Sequence, residues 1–261
     1  PEQRMRVVNE ASDPAFYVLE NPQPTLHLER LGLAAGTRFL TYVGGFSPHK
    51  NLSLLVDVFG DLQTRSGFDD VRLVFGGDYE GDVFFSCYRQ LVEQVQKAGL
   101  AEKVIFTGYL RDADLLVLLN MTQALLLPSF CEGFGLPAIE AAACGAPVIA
   151  TTRSPLPELL GEGAIILEPE DRPGWASAVA TVITDSARRE RMCAAARAAA
   201  ACTTDIASGQ RGGPNRSATR CRARGDRQDA RAEALRSLRQ GSRCDDHARG
   251  ISGPAAQGLR A

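Results

Sequence analysis

The chain has 261 residues, 44% of them hydrophobic, with Lys+Arg 29 against Asp+Glu 31 and a net charge of -2. That length suits one large or two small domains with an ample core, and the balanced charge excludes a chain-wide bias toward polyanions. The longest aliphatic run, Leu115–Leu119, is far short of the ~20 apolar residues a bilayer span needs, and no basic-then-apolar leader is visible.

Taken in chain order, apolar β-type runs alternate with amphipathic stretches. Arg38–Val43 reads as a strand ending in Gly44-Gly45, and Leu52–Leu62 as a helix with Asn51 as its N-cap. Val71–Phe75 is a strand ending in Gly76-Gly77-Asp78. Val83–Ala98 is a helix stopped by Gly99. Lys103–Phe106 is a strand before Thr107-Gly108, Asp112–Asn120 a helix, and Ala124–Leu127 a buried strand ending at Pro128. Pro137–Ala143 is a helix closed by Cys144-Gly145. Pro147–Ala150 and Ala164–Leu167 are strands; Gly174–Asp185 and the residues from Ala187 onward are helices. This βαβα order with near-continuous apolar strands predicts an α/β fold, a doubly wound parallel sheet of Rossmann-like type. In such sheets the ligand crevice lies at the carboxyl ends of the strands. Glycines cluster at those ends (Gly44-Gly45, Gly76-Gly77, Gly108, and Gly133 with Gly135), which together favour a crevice over isolated tight turns.

Charge divides the chain unevenly. Residues 201–261 hold 12 Arg, no Lys and 6 acidic residues, a net of +6, against -8 for the first 200. This segment has no Phe, Trp, Tyr, Val or Met. It carries too little apolar surface to offset the entropy of ordering it, so a disordered or non-native tail is expected. Its arginines could instead form an arm for nucleic acid or a membrane surface. However, the chain uses 26 Arg and 3 Lys throughout, as a shifted frame of GC-rich DNA would spell. The tail charges also lack aromatic interleaving, so no nucleic-acid partner is expected. The seven cysteines form no C-x-x-C pair and the three histidines are scattered, which predicts a reducing compartment and no metal site.

Pro128–Pro147 (PSFCEGFGLPAIEAAACGAP) carries the chemistry. A strand runs into a glycine loop that opens a helix at Leu136 or Pro137. A helix N-terminus offers free N–H donors and a partial positive charge, so it suits a phosphate. Glu132 in the loop can reach a sugar's hydroxyls. Glu140, eight positions later, can accept both hydroxyls of a ribose. Their alternative roles are a solvated loop residue and simple dipole complementarity.

These residues resemble the donor-binding, C-terminal half of a retaining glycosyltransferase of the group 1 (family 4) type, with GT-B architecture. The likeness runs from about Arg4 to Ala200. It rests on Glu132-GFGLPAI-Glu140 followed by EAAACGAPVIAT, and on YVGGFSPHKN (Tyr42–Asn51), with lesser matches in Leu73–Asp78, Val104–Leu110 and Ser154–Gly161. The resemblance implies transfer of a hexose from a nucleotide-diphosphate sugar with retention, without a metal or other cofactor. It implies that Gly44 and Gly45 bring backbone to the donor phosphates and that Lys50 neutralises the departing pyrophosphate. Glu132 would contact the transferred sugar. Gly133, Phe134, Gly135 and Leu136 would hold sugar and phosphate by backbone. Glu140 would bind the ribose, and Tyr109 and Leu110 would line the base pocket. His49 stands where many such enzymes carry Arg, so one permanent charge is missing.

Residues 1–16 resemble the end of the N-terminal domain and its crossing to a second domain, residues 17–200. The chain begins at Pro1, so a fragment lacking the acceptor domain is expected. Such a fragment would bind donor with little transfer alone. Likeness to mannosyl- and rhamnosyl-type polysaccharide enzymes suggests GDP-mannose as donor and a glycan or lipid-linked acceptor. A cytoplasmic location follows, with membrane-surface contact only through the absent half. The rival readings are a GT-B phosphorylase or epimerase and a scaffold presenting the Arg-rich tail. A nicotinamide dehydrogenase is disfavoured, since the first βα turn lacks G-x-G-x-x-G.

Overall fold

The computed structural model describes residues 12–79 and 86–207, and the side chains as far as residue 201. Most of the expected interdomain crossing, the start of the 83–98 helix and nearly all of the Arg-rich segment lie outside the described residues. The chain divides into two units, Pro1–Gly212 and Gly213–Ala261, and every described residue belongs to the first.

Six strands form one sheet: β1 Phe39–Val43, β2 Arg72–Gly76, β3 Val104–Gly108, β4 Leu125–Leu127, β5 Val148–Thr151 and β6 Ala164–Leu167. All neighbours are parallel, in the order β3-β2-β1-β4-β5-β6. Around it run α1 Leu26–Arg30, α2 Leu52–Gln63, α3 Tyr88–Lys97, α4 Asp112–Met121, α5 Leu136–Ala143, α6 Leu156–Leu160, α7 Arg172–Thr184 and α8 Ser186–Ala207. The doubly wound parallel sheet expected from the alternating runs is therefore the fold.

The central strands β1, β2, β4 and β5 are buried on both faces, and the sheet feeds two cores. Phe39 of β1 and Val74 of β2 pack with Leu28, Leu33, Leu110 and Leu118. Their neighbours Leu40, Tyr42, Leu73 and Phe75 join Leu55 and Phe59 of α2, Ile139 of α5 and Trp175 of α7. Alternate side chains point to opposite faces, so a central strand in a covered sheet must be apolar throughout. Burying each such Leu or Phe contributes about 1.5–3 kcal/mol.

The differences from the sequence reading are local. α3 begins at Tyr88, α7 spans Arg172–Thr184, and α5 begins at Leu136. Two five-residue helices, α1 and α6, and a 3-10 turn over Pro48–Lys50 lie where the sequence reads as loop. α8 continues to Ala207, past the change of composition at residue 200. It packs where small residues permit close approach: a Cβ at Gly163 would lie 2.6 Å from the backbone of Ala196.

The sheet order places the site. Chain order runs outward from β1 to β3 on one side, then returns to begin again at β4 on the other. β1 and β4 share the single register pair Thr41 with Leu125. The loops that leave β1 and β4, which carry Lys50 and Glu132, therefore lie side by side at the switch point, where doubly wound sheets bind their ligands.

Candidate functional site at the β1–β4 crevice

The β1 loop folds first as a tight turn. The Gly44 N–H donates to the Gly76 carbonyl at 3.0 Å, and the buried Tyr42 hydroxyl donates to the Gly45 carbonyl at 2.6 Å. Burial, then the charge of Glu132, raises the Tyr42 hydroxyl well above the ordinary tyrosine range, so it remains a donor. The neighbouring β2 loop must come very close. A Cβ at Gly77 (φ 149°) would lie 2.0 Å from the Gly44 carbonyl oxygen, a distance no side chain can take. Gly45 has open space around it, so its backbone is accessible at the crevice mouth.

Beyond Ser47 the one-turn Pro48–Lys50 helix delivers Lys50. Lys50 Nζ donates to both carboxylate oxygens of Glu132, each at 3.0 Å. The side chains of Lys50 and Glu132 are 20% and 11% exposed, so water screens this pair only in part. Ser129 Oγ, fully buried, donates to Glu132 Oε2 at 2.9 Å. The Glu132 N–H donates to the Arg153 carbonyl at 3.1 Å. Glu132 is thus held by three separate elements. Beside it, His49 is held below its ordinary value, first by burial and then by Lys50, while Glu132 pulls the other way. At neutral pH it supplies no second permanent charge.

The Glu132 loop then enters α5. Gly133 is exposed and open, while Phe134 packs against the core. Gly135 is the N-cap of α5 with φ 81°, where a Cβ would press 3.0 Å from Leu156. Leu136 opens the helix and is 37% exposed. At this helix N-terminus Pro137 has no N–H and the Ala138 N–H donates to the Gly135 carbonyl at 2.9 Å, so what the end of α5 offers is the loop backbone up to Leu136 and a partial positive charge. Glu140 sits half-buried on α5. Burial raises its carboxyl above the ordinary glutamate range, and the charges of Asp112 and Asp13 add to this.

Tyr109 stands exposed after β3, whereas the Leu110 side chain is committed to the core, leaving its backbone for contact. Lys50 and Glu132 are the predicted residues brought into direct contact. Among the described residues no three His, Cys, Asp or Glu side chains cluster as metal ligands would.

Two functional contacts escape the sequence. Ser129 precedes Glu132 by three positions, but its role depends on the backbone path of the loop. Asn51 occupies the expected N-cap position of α2 without making a side-chain cap bond. Its amide instead donates to the Pro128 carbonyl at 3.2 Å and the Pro169 carbonyl at 2.9 Å.

A Lys–Glu pair beside a helix N-terminus, at the switch point of a doubly wound sheet, is an arrangement that can hold an anionic, hydroxyl-bearing ligand. Comparison with known proteins gives that class a family. The family model described as "Glycosyl transferases group 1" matches residues 25–199, and the chain belongs to that family. It is similar to O-antigen chain mannosyltransferase B of Escherichia coli, 29% identical over 176 residues, 67% of this chain and 44% of that protein. Among solved structures it is similar to sucrose-phosphate synthase from Thermosynechococcus elongatus. The TM-score is 0.64 at 26% identity, over 75% of this chain and 48% of that one. The C-terminal domain of the Francisella tularensis group 1 protein LpcC shares the fold, with a TM-score of 0.62 at 23% identity, over 74% of this chain and 97% of that domain. The chain spans less than half the length of the curated relatives it matches first. Its sheet is the Rossmann-like unit of the GT-B architecture. Among the described residues no helix is long and apolar enough to cross a membrane.

Proposed function

We propose that this chain binds the donor, a nucleotide-diphosphate hexose, for transfer with retention at the anomeric carbon, as in family 4 enzymes. The observation that carries the reading is the Lys50–Glu132 pair, held at the sheet's switch point beside the N-terminus of α5. As the glycosidic bond to phosphate breaks, the diphosphate leaves with the bonding electron pair and gains negative charge. Lys50 and the partial positive charge at the N-terminus of α5 would meet that growing charge, and fixed charges stabilise it best in a partly dry site. Glu132, oriented by Ser129, accepts hydrogen bonds from sugar hydroxyls. Glu140 accepts from the ribose, and Tyr109 with the Leu110 backbone borders the base. No metal is required in this scheme, since the cationic work falls to Lys50 and the helix.

The mannosyltransferase among the similar proteins supports a mannosyl group as the sugar transferred, and GDP-mannose is the donor proposed. A glycan or lipid-linked acceptor would be bound by the half of the enzyme that this chain does not span. Calorimetric titration of the 261-residue chain with GDP, UDP, ADP and their hexose conjugates tests the reading. One nucleotide series binding with a Kd between about 1 μM and 1 mM is expected. A folded chain that binds none of them contradicts it.

A further inference from the structure

The Lys50 turn has little to hold it. A three-residue 3-10 helix carries few internal bonds, and His49 and Lys50 sit on it between the open Gly45 and α2. Yet Lys50 meets Glu132 from another strand's loop with both oxygens equidistant. Something must fix the turn against the β4 loop, and the structure shows what does. Asn51, the residue after Lys50, has φ 54° and is the one non-glycine residue at positive φ among those described. That conformation is disfavoured for a residue with a Cβ, though less for Asn than for most, and persists where surroundings over-determine it.

Here the surroundings are two carbonyls. Each hydrogen of the Asn51 amide goes to a different loop: Pro128, at the head of the Glu132 loop, and Pro169, beyond β6. The Phe130 N–H adds a third tie by donating to the His49 carbonyl at 2.8 Å. Few side chains can do this. An amide has two hydrogens on one nitrogen. A carboxylate would set negative charge against two carbonyl oxygens, a hydroxyl has one hydrogen, and glutamine is a methylene too long for the same turn.

We propose that Asn51 is a positioning residue that staples the Lys50 turn to the Glu132 loop, so that the ammonium is set at the height of the donor's terminal phosphate. This deepens, and rests on, the donor-binding reading above. Asn51 touches no ligand itself. Its loss is therefore felt at the phosphate that Lys50 meets and not at the nucleoside.

Asn51→Gly keeps the backbone conformation and removes the amide. Asn51→Asp keeps the shape and removes both donated bonds. Each variant is titrated with GDP and GMP, UDP and UMP, and ADP and AMP, alongside circular dichroism and thermal melts. The expected result is a native spectrum with diphosphate affinity reduced about tenfold or more and monophosphate affinity held within about twofold. The preference of the native chain for diphosphate then collapses in both variants. An unchanged preference in Asn51→Gly means that only the backbone conformation matters and overturns the proposal. A parallel loss of both affinities with a lowered Tm assigns Asn51 a merely structural role and overturns it too. A native chain that binds no diphosphate overturns the donor-binding reading itself, and this inference with it.

Discussion

Glu140 is held in a setting that costs stability. Its carboxyl lies above the ordinary range because of burial first, and of Asp112 and Asp13 second. A carboxyl raised in the folded state gives stability that is complete below the ordinary glutamate range and is lost as pH rises through the raised value. Glu140→Gln is therefore expected to melt above the native chain at pH 7–8, with the gap closing as pH falls through the acid range. Thermal melts across pH check this. The same variant should bind ribonucleotide and 2′-deoxyribonucleotide alike, whereas the native chain should favour the ribose form about tenfold. Gly77→Ala acts differently, because its Cβ would meet the Gly44 carbonyl at 2.0 Å. A loss of about 2–4 kcal/mol is expected, read from the urea midpoint. At this scale the sequence shows chemistry and hides support. Lys50 and Glu132 stand out because the Lys follows a Gly-Gly turn in YVGGFSPHKN and the Glu opens the Glu132-GFGLPAI-Glu140 string. The bonds of Asn51 were not legible, since its acceptors lie 77 and 118 residues away.

Element by element, strands were more legible than short helices. A strand buried on both faces writes itself as a nearly continuous run of apolar and β-branched residues, as FLTYV and VIAT do. Five residues of helix complete too few turns to show a period, so α1 and α6 leave no pattern. α1 is instead held by tertiary bonds. Thr25 caps it, and the Thr25 hydroxyl donates to Asp114 Oδ1 at 2.6 Å across to α4. Asp114 also accepts from Arg111 Nε at 3.1 Å. Burial alone would raise its pKa, but the bonds from Thr25 and Arg111 outweigh it and hold the carboxyl below the ordinary aspartate range. The stability this gives is present above that ordinary value and is lost as pH falls through the lowered one. Asp114→Asn should cost about 1–3 kcal/mol at pH 7. Its stability should also change less than that of the native chain as pH drops below about 4, which denaturant titrations at stepped pH would show.

For the molecule as a whole, alternation of strand and helix predicts the layers but not the strand order. That order depends on which strand the chain returns to after β3, a long-range choice with no local signature. Once β4 lies beside β1, the two loops that carry Lys50 and Glu132 are forced to face each other. The catalytic reading therefore stands on topology as much as on residue type. Whether Lys50 meets a donor's diphosphate is read most simply from a paired calorimetric titration. The native chain and Lys50→Ala are each titrated with a nucleoside diphosphate and the matching monophosphate, using the base that the native chain prefers. The native chain should prefer the diphosphate by about tenfold or more, and Lys50→Ala should lose that preference while monophosphate affinity stays within about twofold. A variant that keeps the full preference would contradict this role for Lys50, because the charge meeting the diphosphate would then come from elsewhere.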